Sequence, residues 1–131
     1  MQREADPPVL MHKRAKHRLN MQKTAMNTLI EKLIQHGATI ELDDLSHLAA
    51  DAAFIDILDG LKEDLLQASF PGKQLIDVGW YPEFCESGSF TVCLIRDHAW
   101  GCPVFSTRTR SWPGLVAALN DAIGHLIRLA P

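Results

Sequence analysis

The fold of this chain is decided by residues 73–112, which read KQLIDVGWYPEFCESGSFTVCLIRDHAWGCPVFSTRTRSW. Apolar residues recur at every second position in two segments of this stretch: Ile76, Val78 and Trp80, then Phe90, Val92 and Leu94. A period of two is typical of strands that bury one face, and the turn-like CESG lies between the two segments. With a third strand over Pro103–Thr109, the pattern predicts a three-stranded antiparallel meander.

A helical pattern precedes the sheet. Apolar residues fall at i, i+3, i+4, i+7 and i+8 in one segment: Met26, Leu29, Ile30, Leu33 and Ile34. This spacing places them on one face of a helix, and Gly37 is suited to its C-terminal cap. A second helical region is predicted from Leu45 to about Ser69, with a break near Ala53, and Pro71–Gly72 ends it.

A further helix follows the meander. Ser111 is suited to its N-cap and Pro113 to its first turn. Its buried stripe is predicted to comprise Leu115, Ala118, Leu119, Ala122, Leu126 and Leu129. The predicted fold class is therefore α+β, with N-terminal helices, a three-stranded antiparallel meander and a C-terminal helix.

Length and charge divide the chain into an extension and one domain. At 131 residues it has room for a single core. Residues 1–25 carry six basic and two acidic side chains, a net charge of +4, whereas the remainder carries seven basic and fourteen acidic ones, a net charge of −7. We predict a disordered basic extension over 1–25 and a single α+β domain over 26–131, which folds without the extension.

The chain has neither a secretion signal nor an apolar run long enough to span a membrane, and it carries an odd number of cysteines, three. Both features favour a reducing cytoplasm.

Metal binding and thiol catalysis are both weakly supported. Cys85, Cys93, His98 and Cys102 are close in sequence but lack the paired C-x-x-C spacing of zinc sites. Cys93 lies within FTVCLI, which favours a small core residue. We therefore predict no metal, no cofactor and no catalytic residue, with a small enzyme using a Cys/His pair as the alternative.

Carboxylates dominate residues 41–64, with eight acids and the single base Lys62. In the predicted helix from Phe54 to Leu65, Asp56, Asp59 and Glu63 share a face opposite to the apolar stripe. A solvated helix face is the ordinary explanation, but an acidic face also speeds encounter with a basic partner. The same charge disfavours direct binding of nucleic acid.

Two aromatic residues are candidate interface anchors. Tyr81 points away from the apolar face that carries Trp80, and Trp100 lies in a connection between strands. Tyrosine and tryptophan are enriched among residues that dominate binding energy. We predict a partner-binding site of Asp56, Asp59, Glu63, Tyr81 and Trp100.

Residues 74–127 resemble the C-terminal half of small bacterial immunity proteins, the partners encoded beside contact-dependent growth-inhibition and related polymorphic toxins. The shared features are an IDVGWYP-like strand, a second strand after a short turn, a W-x-x-P step and a terminal amphipathic helix. The step here reads WGCP, and the thiol of Cys102 departs from the pattern.

The resemblance implies a non-enzymatic inhibitor that binds one cognate toxin domain, often a nuclease with a basic cleft, in the cytoplasm. A dimeric regulatory adaptor that associates through an exposed strand edge is a further alternative.

Overall fold

The computed structural model of the protein describes residues 26–48 and 52–128, so the predicted extension over 1–25 lies outside the described residues. Its elements are α1 (26–35), β1 (Thr39–Asp43), β2 (Leu66–Phe70), β3 (Gln74–Tyr81), β4 (Ser89–Arg96), β5 (Phe105–Thr109) and α2 (Trp112–Gly124). Two 3-10 segments, Leu45–His47 and Phe54–Gly60, lie between β1 and β2. The chain is α+β, as predicted.

The sheet has five antiparallel strands in the order β1-β2-β3-β4-β5, so the prediction of three strands was incomplete. The three predicted strands correspond to β3, β4 and β5. The two missed strands extend the sheet beyond β3, and β1 contains an irregularity between Ile40 and Leu42.

The second predicted helical region, Leu45 to about Ser69, is wrong. In the described part of this region, residues 45–48 and 52–69, the helical structure is limited to two short 3-10 segments, and the chain leaves the second of them at Gly60. Leu66, Ala68 and Phe70 then alternate inward along β2 and pair with β3. The apolar spacing that predicted one helix combined residues of a 3-10 segment with residues of the chain that leads into β2.

One face of the sheet, called the inner face here, carries the core. Pairing aligns its side chains in rows across β2, β3 and β4, for example Ala68–Ile76–Leu94 and Leu66–Val78–Val92. All of these residues are fully buried. At one end of the inner face, four aromatic rings pack together: Phe54, Trp80, Phe90 and Trp112. The prediction that Trp80 belongs to the core is confirmed.

Helix α1 covers part of the inner face. Met26, Leu29 and Leu33 are buried, as predicted, but Ile34 is 53% exposed. The helix ends before Gly37, whose φ of +99° is a left-handed conformation that glycine adopts without strain.

Helix α2 covers the other part and begins as the sequence predicts. The Ser111 hydroxyl accepts a hydrogen bond from the Gly114 N–H (3.0 Å), and Pro113 occupies the first turn. The helix ends at Gly124, so Leu126 follows it and is only half-buried. The predicted stripe residue Leu129 lies outside the described residues.

The opposite face of the sheet is called the outer face here and is formed by Gln67, Ser69, Leu75, Asp77, Gly79, Tyr81, Ser89, Thr91, Cys93, Ile95, Ser106 and Arg108. Both helices contribute their buried residues to the core on the inner face. Most outer-face side chains are therefore partly exposed. None of the helices within residues 26–48 and 52–128 is long and apolar enough to cross a membrane.

Candidate partner-binding surface

Tyr81 lies at the end of β3 with its side chain on the outer face, as its alternation with Trp80 predicted. It is half-buried. The residues before β2 lie beside it, because they continue the pairing with β3. The Trp80 N–H donates to the Lys62 carbonyl oxygen (2.8 Å), and the Leu65 N–H donates to the Val78 carbonyl oxygen (2.9 Å).

Three carboxylates lie at this end of the outer face, those of Glu63, Asp64 and Glu83, and that of Asp77 lies further along β3 on the same face. We call these four the acidic group. The Glu63 N–H donates to a Glu83 carboxylate oxygen (3.2 Å), which joins the segment before β2 to the loop after β3. The pKa of the Tyr81 hydroxyl is raised, first by burial and then by the negative charges of Asp77, Glu63 and Asp64.

The base closest in sequence to the acidic group does not neutralise it. The Lys62 ammonium forms an ion pair with Asp44 at 2.6 Å. Within the part of the chain that the structure describes, none of the four carboxylates forms an ion pair. The surface around Tyr81 therefore presents uncompensated negative charge to a partner.

Of the acidic group only Glu63 was predicted as a site residue; Asp64, Asp77 and Glu83 were missed, and Asp77 is the buried one of these. Although it belongs to the outer face, it is only 6% exposed. Its carboxylate accepts a hydrogen bond from the Gln67 side-chain amide (3.1 Å), and burial is the main reason why its pKa is raised. In the sequence, Asp77 lies between the inward-facing Ile76 and Val78, which places it on the opposite face of the strand. An ordinary solvated strand face explains an acid at that position equally well.

The predicted grouping of Asp56, Asp59 and Glu63 on one helix face is wrong. Asp56 and Asp59 are exposed on a 3-10 segment, and the chain has left that segment before it reaches Glu63. This segment packs on the inner side of the sheet, because the Phe54 ring lies 4.7 Å from the Trp80 ring. The structure therefore places Glu63 beside Tyr81 and the other two acids elsewhere.

Trp100 lies at the opposite end of the outer face from Tyr81, where it lines a cavity together with Leu75. Leu75 and Tyr81 are six residues apart in β3, a span of about 20 Å at about 3.4 Å per residue. Trp100 is 52% exposed, and the cavity has a volume of about 170 Å³. The remaining lining residues are Ser69, Phe70, Lys73, Gln74, Ile95 and His98. Both predicted aromatic anchors are thus on one face of the sheet, at its two ends.

Three arginines, Arg96, Arg108 and Arg110, lie in or directly after β4 and β5, and two of them form hydrogen bonds that join separate parts of the chain. Arg96 donates to the His125 carbonyl oxygen (2.7 Å), and Arg110 donates to the Gly88 carbonyl oxygen (2.7 Å). Because these guanidinium groups fix backbone carbonyls, they contribute less to an open basic surface. Arg108 is exposed on the outer face.

The cysteines occupy separate places. Cys85 follows β3 and contacts the Ser87 hydroxyl (3.1 Å), whereas Cys93 lies on the outer face, half-buried, and contacts the Ser106 hydroxyl (3.4 Å). The prediction that Cys93 is a core residue is therefore wrong. A search of residues 26–48 and 52–128 finds no cluster of three or more histidine, cysteine or acidic side chains arranged to hold a metal ion.

Comparison with known proteins yields no match to a family model, to a curated protein or to a solved structure.

Proposed function

We propose that this protein is an immunity protein that binds and neutralises a cognate bacterial toxin domain in the cytoplasm, without catalysis. The observation that carries the proposal is the acidic group beside Tyr81, which lies on a sheet face that neither described helix covers. A toxin domain with a basic cleft, such as a nuclease, has the complementary charge. Occupation of that cleft by carboxylates would exclude its substrate.

Two physical contributions favour this arrangement. Unpaired carboxylates raise the rate of encounter with a basic partner and orient it before contact. Tyr81 then supplies a rigid aromatic surface at the centre of the charge, where its burial would slow dissociation. Nucleic acid is disfavoured as a direct ligand of this face, since the carboxylates would repel phosphates.

Asp77 adds a contact of a different kind. Its carboxylate is already largely removed from water in the free protein, so a partner's arginine or lysine would meet a preformed, desolvated acceptor. Truncation of one member of such a pair typically costs about 2–5 kcal/mol of binding free energy, much of it from the charge left unpaired. Asp77 is therefore proposed to set specificity, and the exposed acids to set the association rate.

The experiment compares two double charge reversals of equal size. Glu63→Lys with Asp64→Lys alters the acidic group, and Asp56→Lys with Asp59→Lys alters the 3-10 segment on the inner side. Association and dissociation rates are measured, at several salt concentrations, against the C-terminal domain encoded by the adjacent upstream gene, which this proposal predicts to be a basic toxin. The first variant is expected to associate more slowly, by tenfold or more at low salt, and to show a weaker salt dependence.

The second variant is expected to change both quantities less, although it has the same net charge. Equal effects of the two variants would show that net charge alone matters and would contradict a role for the surface around Tyr81. Failure of the parent protein to bind the toxin domain, or to protect cells that express it, would overturn the proposed function itself.

A further inference from the structure

The cavity beside Trp100 has an apolar floor on an otherwise polar face. Leu75 and Ile95 are cross-strand neighbours in β3 and β4. Ile95 is only 2% exposed, yet it is not part of the core on the inner face. Trp100 lines the same cavity and keeps half of its own surface exposed. An apolar recess of this kind on an open face is a place where another apolar group gains from burial.

The volume of the cavity limits what can enter. At about 170 Å³ it is smaller than the roughly 300–1,000 Å³ of small-molecule and cofactor sites. Engineered apolar cavities of about 150 Å³ accept one benzene molecule. The space therefore matches one large apolar side chain.

The walls of the cavity are preorganised by backbone hydrogen bonds. The Asp97 N–H donates to the Lys73 carbonyl oxygen (2.9 Å), which ties the β2–β3 turn to the β4–β5 connection. Lys73, Asp97 and His98 have φ values of +56°, +54° and +60°, and only one other non-glycine residue in the described ranges, Phe84, has a positive φ. The connection also closes on itself, since the Trp100 N–H donates to the His98 carbonyl oxygen (2.9 Å). A wall fixed in this way loses little entropy when it is covered.

Charge identifies the kind of partner. Asp77 follows Leu75 on the same face, and the rest of the acidic group lies at the Tyr81 end. Arg108 is the single basic side chain among the outer-face residues named above, and Lys73 and His98 line the cavity, so the negative charge is concentrated toward the Tyr81 end. A partner surface that is complementary to the outer face is therefore basic, and its apolar side chain lies to one side of its positive charge.

We propose that the cavity beside Trp100 receives one large apolar side chain, preferably aromatic, from a basic protein partner whose lysines or arginines lie against the acidic group, toward the Tyr81 end of the outer face. This inference rests on the proposed function and specifies how the partner is recognised. The apolar side chain supplies the anchor at one end of the outer face, and the carboxylates supply the orientation at the other.

The first test needs no partner. Indole is titrated into the full-length, ¹⁵N-labelled protein, and amide shifts are followed by NMR. Saturable changes are expected at Ser69, Leu75 and Ile95 and at the Trp100 indole N–H, and the backbone-amide changes are expected to be lost in Trp100→Ala. Ile34→Ala is the matched control, because Ile34 is also half exposed but lies on α1. Shifts spread over the whole surface, or unchanged in Trp100→Ala, would overturn the cavity as an apolar site.

The second test uses the C-terminal domain encoded by the adjacent upstream gene, which the proposed function predicts to be the toxin. Trp100→Ala is expected to raise the dissociation rate about 30-fold and to leave the salt dependence of association unchanged, whereas Ile34→Ala changes neither. If the toxin binds the parent and Trp100→Ala equally well, the proposed function stands and this inference fails. If the toxin does not bind at all, the proposed function fails, and the indole titration still reports on the cavity.

Two other occupants are distinguished by the same measurements. A second copy of the chain would make the indole shifts depend on protein concentration. The chain's own residues 9–11 would block indole in the parent, and replacing Val9, Leu10 and Met11 by serine would restore it. Either result would contradict a partner's side chain as the occupant.

Discussion

Gly79 and Glu63 are closer together than a side chain at position 79 would allow. A Cβ atom on Gly79 would lie 1.9 Å from the Glu63 carbonyl oxygen and 2.8 Å from its carbonyl carbon. Since the obstruction is backbone, rotation of a side chain cannot relieve it. Glycine at this position of β3 thus permits the acidic segment to lie against the sheet.

Gly79→Ala is expected to lower the free energy of unfolding by about 1–3 kcal/mol, because the added methyl group must displace the segment around Glu63. Urea denaturation measures the loss. Gly101→Ala is the control, since no atom lies within 4 Å of its Cβ position, and it is expected to change stability by less than about 0.5 kcal/mol. Equal stability of the two variants would mean that the segment does not press on β3.

Gln74→Leu is expected to destabilise the protein by about 3 kcal/mol and to loosen the chain after α2. The buried Gln74 side chain donates to the Pro71 and Ile127 carbonyl oxygens (2.8 and 2.9 Å) and accepts from the Ile127 N–H (2.8 Å). Leucine fills similar space but leaves these backbone groups unpaired. Hydrogen exchange at the Ile127 amide measures the local effect, with the exposed Gln35→Leu as the control. Unchanged protection of Ile127 would contradict the role of Gln74.

Asp77→Asn is expected to stabilise the free protein at neutral pH. Because the pKa of Asp77 is raised above its ordinary value of 3.8, there is a range of pH above 3.8 in which the folded chain keeps the Asp77 proton and the unfolded chain has lost it. Ionised Asp77 therefore lowers stability above its folded pKa, and this penalty disappears as the pH falls toward 3.8. Asparagine keeps an oxygen that can accept the Gln67 hydrogen bond.

The difference in melting temperature between Asp77→Asn and the parent is thus expected to be positive at pH 7 and to shrink toward pH 4. Asp59→Asn, at an exposed position, provides the control for the loss of one charge. A variant that is less stable than the parent at pH 7 would show that the Asp77 carboxylate makes a favourable contact. If the same variant also bound a basic partner more weakly, the loss of stability caused by the ionised Asp77 carboxylate would be explained by its role in recognition.

Ser87→Ala is expected to slow alkylation of Cys85 by iodoacetamide at pH 7. The hydrogen bond with the Ser87 hydroxyl is the largest cause that lowers the pKa of the Cys85 thiol, and a hydrogen bond with the Ser87 backbone is the second. Alanine removes only the first, which reduces the thiolate fraction. Peptide mass spectrometry follows the reaction, with exposed Cys102 of the same molecule as the internal reference. Equal rates at Cys85 in the variant and the parent would contradict an effect of the hydroxyl on the thiol.

Strands β3 and β4 were predictable because apolar residues alternate along them, and this alternation results from burial of one face of the sheet. Ile76, Val78 and Trp80 are all fully buried, and helix α2 begins where its Ser111 cap predicts. These signals are local in the sequence, and tertiary packing agrees with them.

Strand β2 was missed because Leu61 and Leu65 are spaced like neighbours on a helix. Both are fully buried, but they belong to the bend that leads from a 3-10 segment into the strand. A signal for the strand was present, since Leu66, Ala68 and Phe70 alternate directly before the turn at Pro71–Gly72. The burial of apolar residues alone does not distinguish the spacing of a helix from the alternation of a strand in so short a segment.

The candidate site was predictable in its residue types but not in its grouping. Tyr81 and Trp100 were assigned to a presented surface from alternation and position, whereas the association of Glu63 with Tyr81 depends on a contact between chain segments. Asp77 could not be distinguished from a solvated strand residue, because its burial results from neighbours on β2 and β4.

The order of the strands also bears on how quickly the outer face forms. Each strand pairs with the next one along the chain, and residues 71–73, 82–88 and 97–104 are the only links that β2, β3, β4 and β5 require. Short links cost little loop-closure entropy, and folds dominated by near-neighbour contacts fold fast for their stability. Tyr81 and Trp100 thus belong to hairpins that can form before the connection between β1 and β2, which carries Glu63 and Asp64, is ordered. The aromatic side chains of the candidate surface would therefore reach their places on the sheet before Glu63 and Asp64 join them.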